Sequence, residues 1–408
     1  MPSATSLRLP ANEQALRLSP AGSTHAHTTA PSEPSLTSQP VPQKVKRLRD
    51  PRLDFFRGVG MLIILLAHIP NDGWALWIPA RFGFSDATEM FVFQSGMACA
   101  IAFGSTFDRS GAFVLIARVA QRIWQIFWAH VVIFIVVAAI MVVAGTRYDG
   151  VTYVDSLNLV PFMKDPGHLL VGLLMLTYVP NYFDILPMYI VILVLMPLMI
   201  LASKVDRSLP FVLMILLWLA AQFGLTRLPA EPWSDRSWFF DPFGWQFLFF
   251  TGFFLMRGVL PAPGYDRRLM SLAIVFVIVT VPFAWVRFQE AHPFFQMAAA
   301  RIAPLTDKTD FGLLRFIHFM ALCYIAVHLV GERGSRLRGP VVRVLSVVGQ
   351  QSLAVFITGM VIAQPIGIAL DHAGRTICAE VVGNLIGFAT LIGTAYLVRW
   401  FKLSPWKS

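Results

Sequence analysis

Asp54, Arg57 and His68 are the residues of this chain whose types and spacing most directly offer chemistry. They lie in Arg52-Leu53-Asp54-Phe55-Phe56-Arg57-Gly58 and the apolar run that follows it to His68. On a helix advancing ~100° per residue, Arg57 and His68 are ~20° apart, with Asp54 ~40° to the other side. Along the axis His68 stands ~16 Å from Arg57. One face thus carries a charged pair at one membrane boundary and an imidazole deep in or across the bilayer. Lipid does not tolerate such a face, so it must look into protein or a wet cavity. An imidazole titrating near ~6.5 suits a general base that takes a proton near neutral pH. Arg57, with Arg52, suits an anionic group at the mouth. The plainer readings are a snorkelling Arg57, Asp54 as its helix-start partner, and a structural His68.

A second cluster is Gly83-Phe84-Ser85-Asp86-Ala87-Thr88-Glu89. Asp86 and Glu89 are three apart and share a helix face. Acids are favoured near helix N-termini, so a simple N-cap with a first-turn acid accounts for them. Glu89, however, continues into Met90-Phe91-Val92-Phe93, deeper than a cap needs. A carboxylate there could orient His68 and fix its tautomer, which makes His68, Glu89 and Asp86 the candidate catalytic set. Further polar groups are Asn181 and Asp184 in a Pro-bounded segment, Asp241 among Trp238 to Trp245, and Asp307-Lys308-Thr309-Asp310 followed by Arg315 and His318. Of these, Asn181, Asp184, Trp245, Asp310 and His318 are candidate substrate contacts. Structural roles, including an interfacial aromatic belt, compete with that reading. There is no His-Glu-x-x-His, Walker loop, Gly-x-Ser-x-Gly or Cys-x-x-Cys, so metal proteolysis, ATP-driven transport and a serine triad have no support. Cys99, Cys323 and Cys378 have no metal-ligand spacing and read as packing residues; no metal or bound cofactor is expected.

The elements that must position these residues follow from composition. Of 408 residues 56% are hydrophobic and 14% charged, against ~25% charged in soluble domains. This predicts an all-α polytopic membrane protein. The net charge of +10 comes from basic loops between spans, so no nucleic-acid partner is expected. Candidate spans are roughly 56–77, 87–106, 114–144, 168–202, 210–225, 244–260, 269–286, 312–330, 344–370 and 379–400. Every even loop is short and basic, as in Arg109, Arg118 and Arg122 after the second span, so all read as cytoplasmic. About ten crossings with both termini cytoplasmic satisfy every loop. Residues 168–202 are too long for one straight span and are broken at Pro180 to Pro187. We read a short re-entrant or interfacial helix, 168–179, then one true span. Such a break is allowed only beside protein or a water-filled cavity, unless it is an ordinary surface turn. Residues 1–48 read as a disordered cytoplasmic tail without a signal peptide's apolar region, 49–402 as the membrane domain and 403–408 as a short tail.

The ordered set of Leu53-Asp54-Phe55-Phe56-Arg57-Gly58, His68 and Gly83 to Gly96 resembles the membrane acyltransferase-3 superfamily. More specific blocks resemble the OpgC family, which is associated with succinylation of osmoregulated periplasmic glucans. They are Ser85 to Glu89, Thr177 to Tyr189, Trp238 to Gln246, Asp307-Lys308-Thr309 and Gly349-Gln350-Gln351-Ser352-Leu353. The similarity runs from about 49 to 400. It departs at Ser85-Asp86-Ala87-Thr88-Glu89, where acyltransferase-3 members usually carry Gly-Val-Asp-like residues. The resemblance implies a bacterial inner-membrane enzyme that uses acyl-CoA, succinyl-CoA in particular, as co-substrate and a periplasmic glucan as acceptor. It implies His68 as base and Arg52 and Arg57 as donor-side groups. The rival reading is a proton-coupled transporter or exporter of an anionic solute or saccharide, which an intramembrane Arg/His/carboxylate face suits equally well. A second broken segment, common in two-halved transporters, is not found.

Overall fold

The computed structural model describes residues 50–147 and 150–404. The tail expected over 1–48 and residues 405–408 lie outside the described residues. Among the described residues the chain is helical, with no strand and isolated bridges at Thr146–Thr152 and Pro229–Ser237.

Helix α1 (Pro51–His68) starts where the Asp50 carboxylate accepts the Arg52 N–H at 3.0 Å, with Pro51 pre-set for the first turn. It stops at His68, short of the expected 77. Ile69 precedes Pro70 and is held extended, and Asn71 takes φ 54°, so the helix cannot continue. Short 3-10 turns, Gly73–Trp77 and Pro79–Arg81, carry the chain on to α2 (Ala87–Cys99). A π turn, Ala100–Gly104, joins α2 to α3 (Ser105–Ala144). The 58 residues of this run would reach ~87 Å as one straight helix, against ~30 Å of hydrocarbon. Gly111, at φ 77° and ψ −174°, breaks it into the two segments that the sequence predicts. Only glycine adopts that backbone without strain.

Next come α4 (Pro166–Leu174) and α5 (Ile185–Val205), separated by non-helical residues 175–184. The expected break is therefore present, although the short helix closes at Leu174 rather than 179. Then follow α6 (Leu209–Gln222), α7 (Pro242–Met256), α8 (Arg267–Ala284) and α9 (Leu313–Leu329). The expected 344–370 span is interrupted at Gln351, between α10 (Pro340–Gln350) and α11 (Ser352–His372). Helix α12 (Ile377–Leu403) closes the described chain.

Among the described residues, five helical runs are long and apolar enough to cross a membrane: Ala87–Ala144, Ile185–Val205, Arg267–Ala284, Ser352–His372 and Ile377–Leu403. Helices α6, α7, α9 and α10 are apolar but shorter. The apolar exterior is what a bilayer requires: on α8, Leu272, Val275, Ile278 and Val279 are all exposed. This is a membrane protein.

Two close helix pairs set the interior. Helix α1 packs chiefly on α10 and α2 on α7. A methyl added at Gly58 would overlap the Leu345 carbonyl oxygen, and one at Gly349 the Asp54 carbonyl oxygen. Gly96 and Gly252 meet the Phe249 and Phe93 carbonyls in the same way. Small residues let backbones touch where no water is present to drive helices together.

Candidate active site

The ends of α1, α2 and α5 meet loop 307–310 around a cavity of about 330 Å³. His68, Arg81, Asp86, Tyr182, Asp184 and Lys308 supply its polar wall, and Phe91 and Phe356 part of its apolar one. His68 is positioned by its own helix. Its Nδ1 lies 2.7 Å from the Ile64 carbonyl oxygen, one turn back. A carbonyl only accepts, so Nδ1 carries the proton and the neutral ring presents Nε2 as its basic nitrogen. No group among the described residues hydrogen-bonds Nε2. The Tyr182 ring stands edge-on to the imidazole at 5.3 Å, and its hydroxyl donates to the Met360 carbonyl at 2.5 Å.

The expectation that Glu89 or Asp86 orients His68 does not match this geometry: the Ile64 carbonyl is the imidazole's partner. Both acids are taken up elsewhere. They form a capping box on α2, in which the Asp86 carboxylate accepts the Thr88 N–H at 2.6 Å and Glu89 accepts the Asp86 N–H at 2.7 Å. Glu89 is fully buried and accepts from the Arg315 guanidinium of α9. Asp86 pairs with Lys308 Nζ at 2.5 Å and with Arg315 Nη2 at 3.5 Å. Burial opposes ionisation of Asp86, but these two cations hold its carboxyl below the usual carboxylate range. Asp86 still lines the cavity beside His68, whereas Glu89 lies behind the wall.

Of the other candidates, Asp184 reaches the cavity. It is buried at the start of α5 and accepts only the Phe239 N–H, at 3.3 Å, beyond its own turn. Burial pushes its carboxyl up to about 7. Asn181 is exposed and accepts from Arg236 at 3.0 Å, outside the cavity. Trp245 does not face the cavity either. It is fully buried because its flat side fills the α7 core while its Nε1 donates to the Lys308 carbonyl at 2.9 Å. Asp310 turns away to Arg227, 3.0 Å distant. His318 is buried behind Gly83, its Nδ1 2.7 Å from Ser85 Oγ. Arg52 pairs with Asp50 at 2.7 Å at the far end of α1. Arg57 is buried and donates to the Gln94 carbonyl of α2 at 2.8 Å, so it does not present an open mouth to a ligand.

The cavity residues that spacing did not single out are Arg81, Tyr182 and Lys308. Lys308 carried a signal: it is a cation in an otherwise acidic loop on the side read as outer. Its placement is built by distant residues. Trp218 Nε1 donates to Phe311 O at 2.9 Å, Gln222 to Asp310 O at 2.5 Å, and Asp241 N–H to Thr309 O at 2.9 Å. Cys99 is buried as expected, but Cys378 is exposed at the start of α12.

No curated protein and no solved structure matches the chain. The model of the OpgC protein family does, over residues 49–403, from the residue before Asp50 to the last residue of α12. That span takes in every element around the cavity, and the chain belongs to the OpgC protein family.

Proposed function

We propose that the protein is a membrane O-acyltransferase that moves a succinyl group from cytoplasmic acyl-CoA to a hydroxyl of a periplasmic glucan. Family membership supports the class of reaction, and the carrying observation is His68, with Nδ1 occupied by a carbonyl and Nε2 left as the base in a cavity. The acceptor hydroxyl gives its proton to Nε2 while its oxygen bonds to the acyl carbon. The carbon–sulfur bond then breaks, and the thiolate leaves with the proton from the imidazolium. The Ile64 carbonyl positions the imidazole throughout. Arg52 is the donor-side cation in this reading, and Arg57 sets α1 against α2.

A ten-crossing arrangement in a bacterial inner membrane, with both termini cytoplasmic, fits the contacts. Loops read as outer meet one another: Lys308 with Asp86, Asp184 with the Phe239 N–H, and Tyr153 with Asp371. Segments read as inner do likewise, as in Arg257 with Asp108. Kinship with the acyltransferase-3 superfamily is part of the same proposal.

The test uses purified protein in nanodiscs with labelled succinyl-CoA and a glucan oligosaccharide. Label should move to glucan, and His68→Ala should slow that transfer by ~10²–10⁴-fold. Solute uptake into proteoliposomes without acyl-CoA, and no labelled glucan, would instead favour a carrier.

A further inference from the structure

The cavity wall sets two cations, Arg81 and Lys308, against Asp86 and Asp184, and burial raises the Asp184 carboxyl to about 7, so that it carries only part of a charge near neutral pH. Asp86 has Arg315, which it shares with Glu89, at 3.5 Å and the Thr88 N–H at 2.6 Å before Lys308 is counted. Lys308 nevertheless enters the cavity wall, its ammonium 2.5 Å from Asp86 and 5.7 Å from the centre of the Phe240 ring. Arg81 lines the same cavity and has no carboxylate partner among the described residues; its Nε donates to the Ala75 carbonyl at 3.2 Å. Its guanidinium therefore keeps free donors in the same cavity that Lys308 lines, where Ile64, Phe91, Ile185 and Phe356 supply part of the apolar wall. At about 330 Å³ the space lies at the small end of the ~300–1,000 Å³ typical of ligand sites. It is matched to a short acyl chain rather than to several sugar rings.

We propose that Arg81 and Lys308 form a carboxylate-reading subsite, which selects a dicarboxylic acyl donor by its free end while the thioester carbonyl lies toward His68. This rests on the acyl-transfer reading above. A four-carbon diacid spans only ~4 Å between its terminal carbons, so both ends fit within one small cavity. A guanidinium offers a carboxylate two parallel hydrogen bonds, and the Lys308 ammonium adds a point charge that Asp86 can share. A monocarboxylic chain of the same length would leave both cations facing methyl hydrogens. The discrimination is thus electrostatic and belongs to the donor, independent of which glucan hydroxyl accepts.

The test compares succinyl-CoA with butyryl-CoA, which differ at the far end of the acyl chain. Affinity is measured first on His68→Ala protein in nanodiscs, where no turnover intervenes, and transfer to glucan is then measured on the active protein. The inference requires tighter binding of succinyl-CoA. It also requires that Arg81→Gln lower the succinyl-to-butyryl affinity ratio by roughly tenfold or more and that Arg81→Lys restore part of it. Arg81 is exposed, so its replacement does not threaten the fold. Equal binding of the two donors, or an equal loss of both in Arg81→Gln, overturns the subsite even if glucan is acylated. Charge-selective binding without any transfer keeps the subsite and sinks the enzyme.

Discussion

His68 sits where one short hydrogen bond decides its chemistry. The Ile64 carbonyl fixes the proton on Nδ1, so Nε2 is available without help from a carboxylate. Replacing His68 by Ala should lower labelled-glucan formation by ~10²–10⁴-fold, the usual range for a general base. The helical yield and melting temperature in detergent should stay close to the parent, because the imidazole borders open space. Glu89 behaves differently. It is fully buried against Arg315, and removing one partner of such a pair costs ~3–5 kcal/mol. Arg315→Met should therefore melt well below the parent, and adding Glu89→Gln should recover part of the loss. Additive losses in the double variant would show that the two groups do not act as a pair. Asp184 gives a pH signature. Its folded-state pKa, about 7, lies above the ordinary carboxylate value, so the folded state holds the proton more tightly. Its effect on stability is unfavourable and grows as pH rises from the ordinary carboxylate range toward 7. Asp184→Asn should thus raise the melting temperature more at pH 8 than at pH 4.

At the scale of elements, glycine decides where helices stop and how closely they meet. Gly111 converts one over-long apolar run into two segments by taking a backbone closed to other residues. Gly111→Ala should cost ~1–3 kcal/mol although nothing lies within 4 Å of the added methyl, which separates backbone strain from crowding. Gly58→Ala tests the opposite cause, a clash with the Leu345 carbonyl of α10. Much of this scale was legible beforehand. The break near Pro180, the start of α2 at Ala87 and the interior-facing side of α1 follow from Pro placement, capping residues and the Arg57–His68 spacing. The end of α1 was missed because an apolar run carries past His68, and only Ile69-Pro70-Asn71 marks the stop. The candidate site was legible in part. His68, Asp86 and Asp184 do share one cavity, since each lies at the end of a helix on the same side. Trp245, Asp310 and His318 share that depth, but a linear pattern cannot say which way a side chain turns, and all three turn into the protein.

Across the whole molecule, the proposed ten-crossing arrangement puts the start of α12 on the outer side. Cys378 offers a native reporter of that arrangement. It is exposed at the α12 start, while Cys99 is buried. In intact spheroplasts a membrane-impermeant maleimide should label Cys378 and leave Cys99 unmodified. Labelling of Cys378 only after the cells are opened would reverse the proposed orientation.

The Glu89–Arg315 pair also bears on how the protein is made. Its partners are 226 positions apart. A ribosome feeding the chain into the bilayer delivers Glu89 long before Arg315 has been synthesised. Until α9 arrives, the growing intermediate carries an acid with no counter-ion in an apolar setting, and its first two helices have reason to stay near the insertion machinery. The last quarter of the chain therefore acts as a licence for the start. A nascent protein truncated before α9 should be held back and degraded, even though Ile64 and Tyr182, which stand against the imidazole of His68, have already been translated.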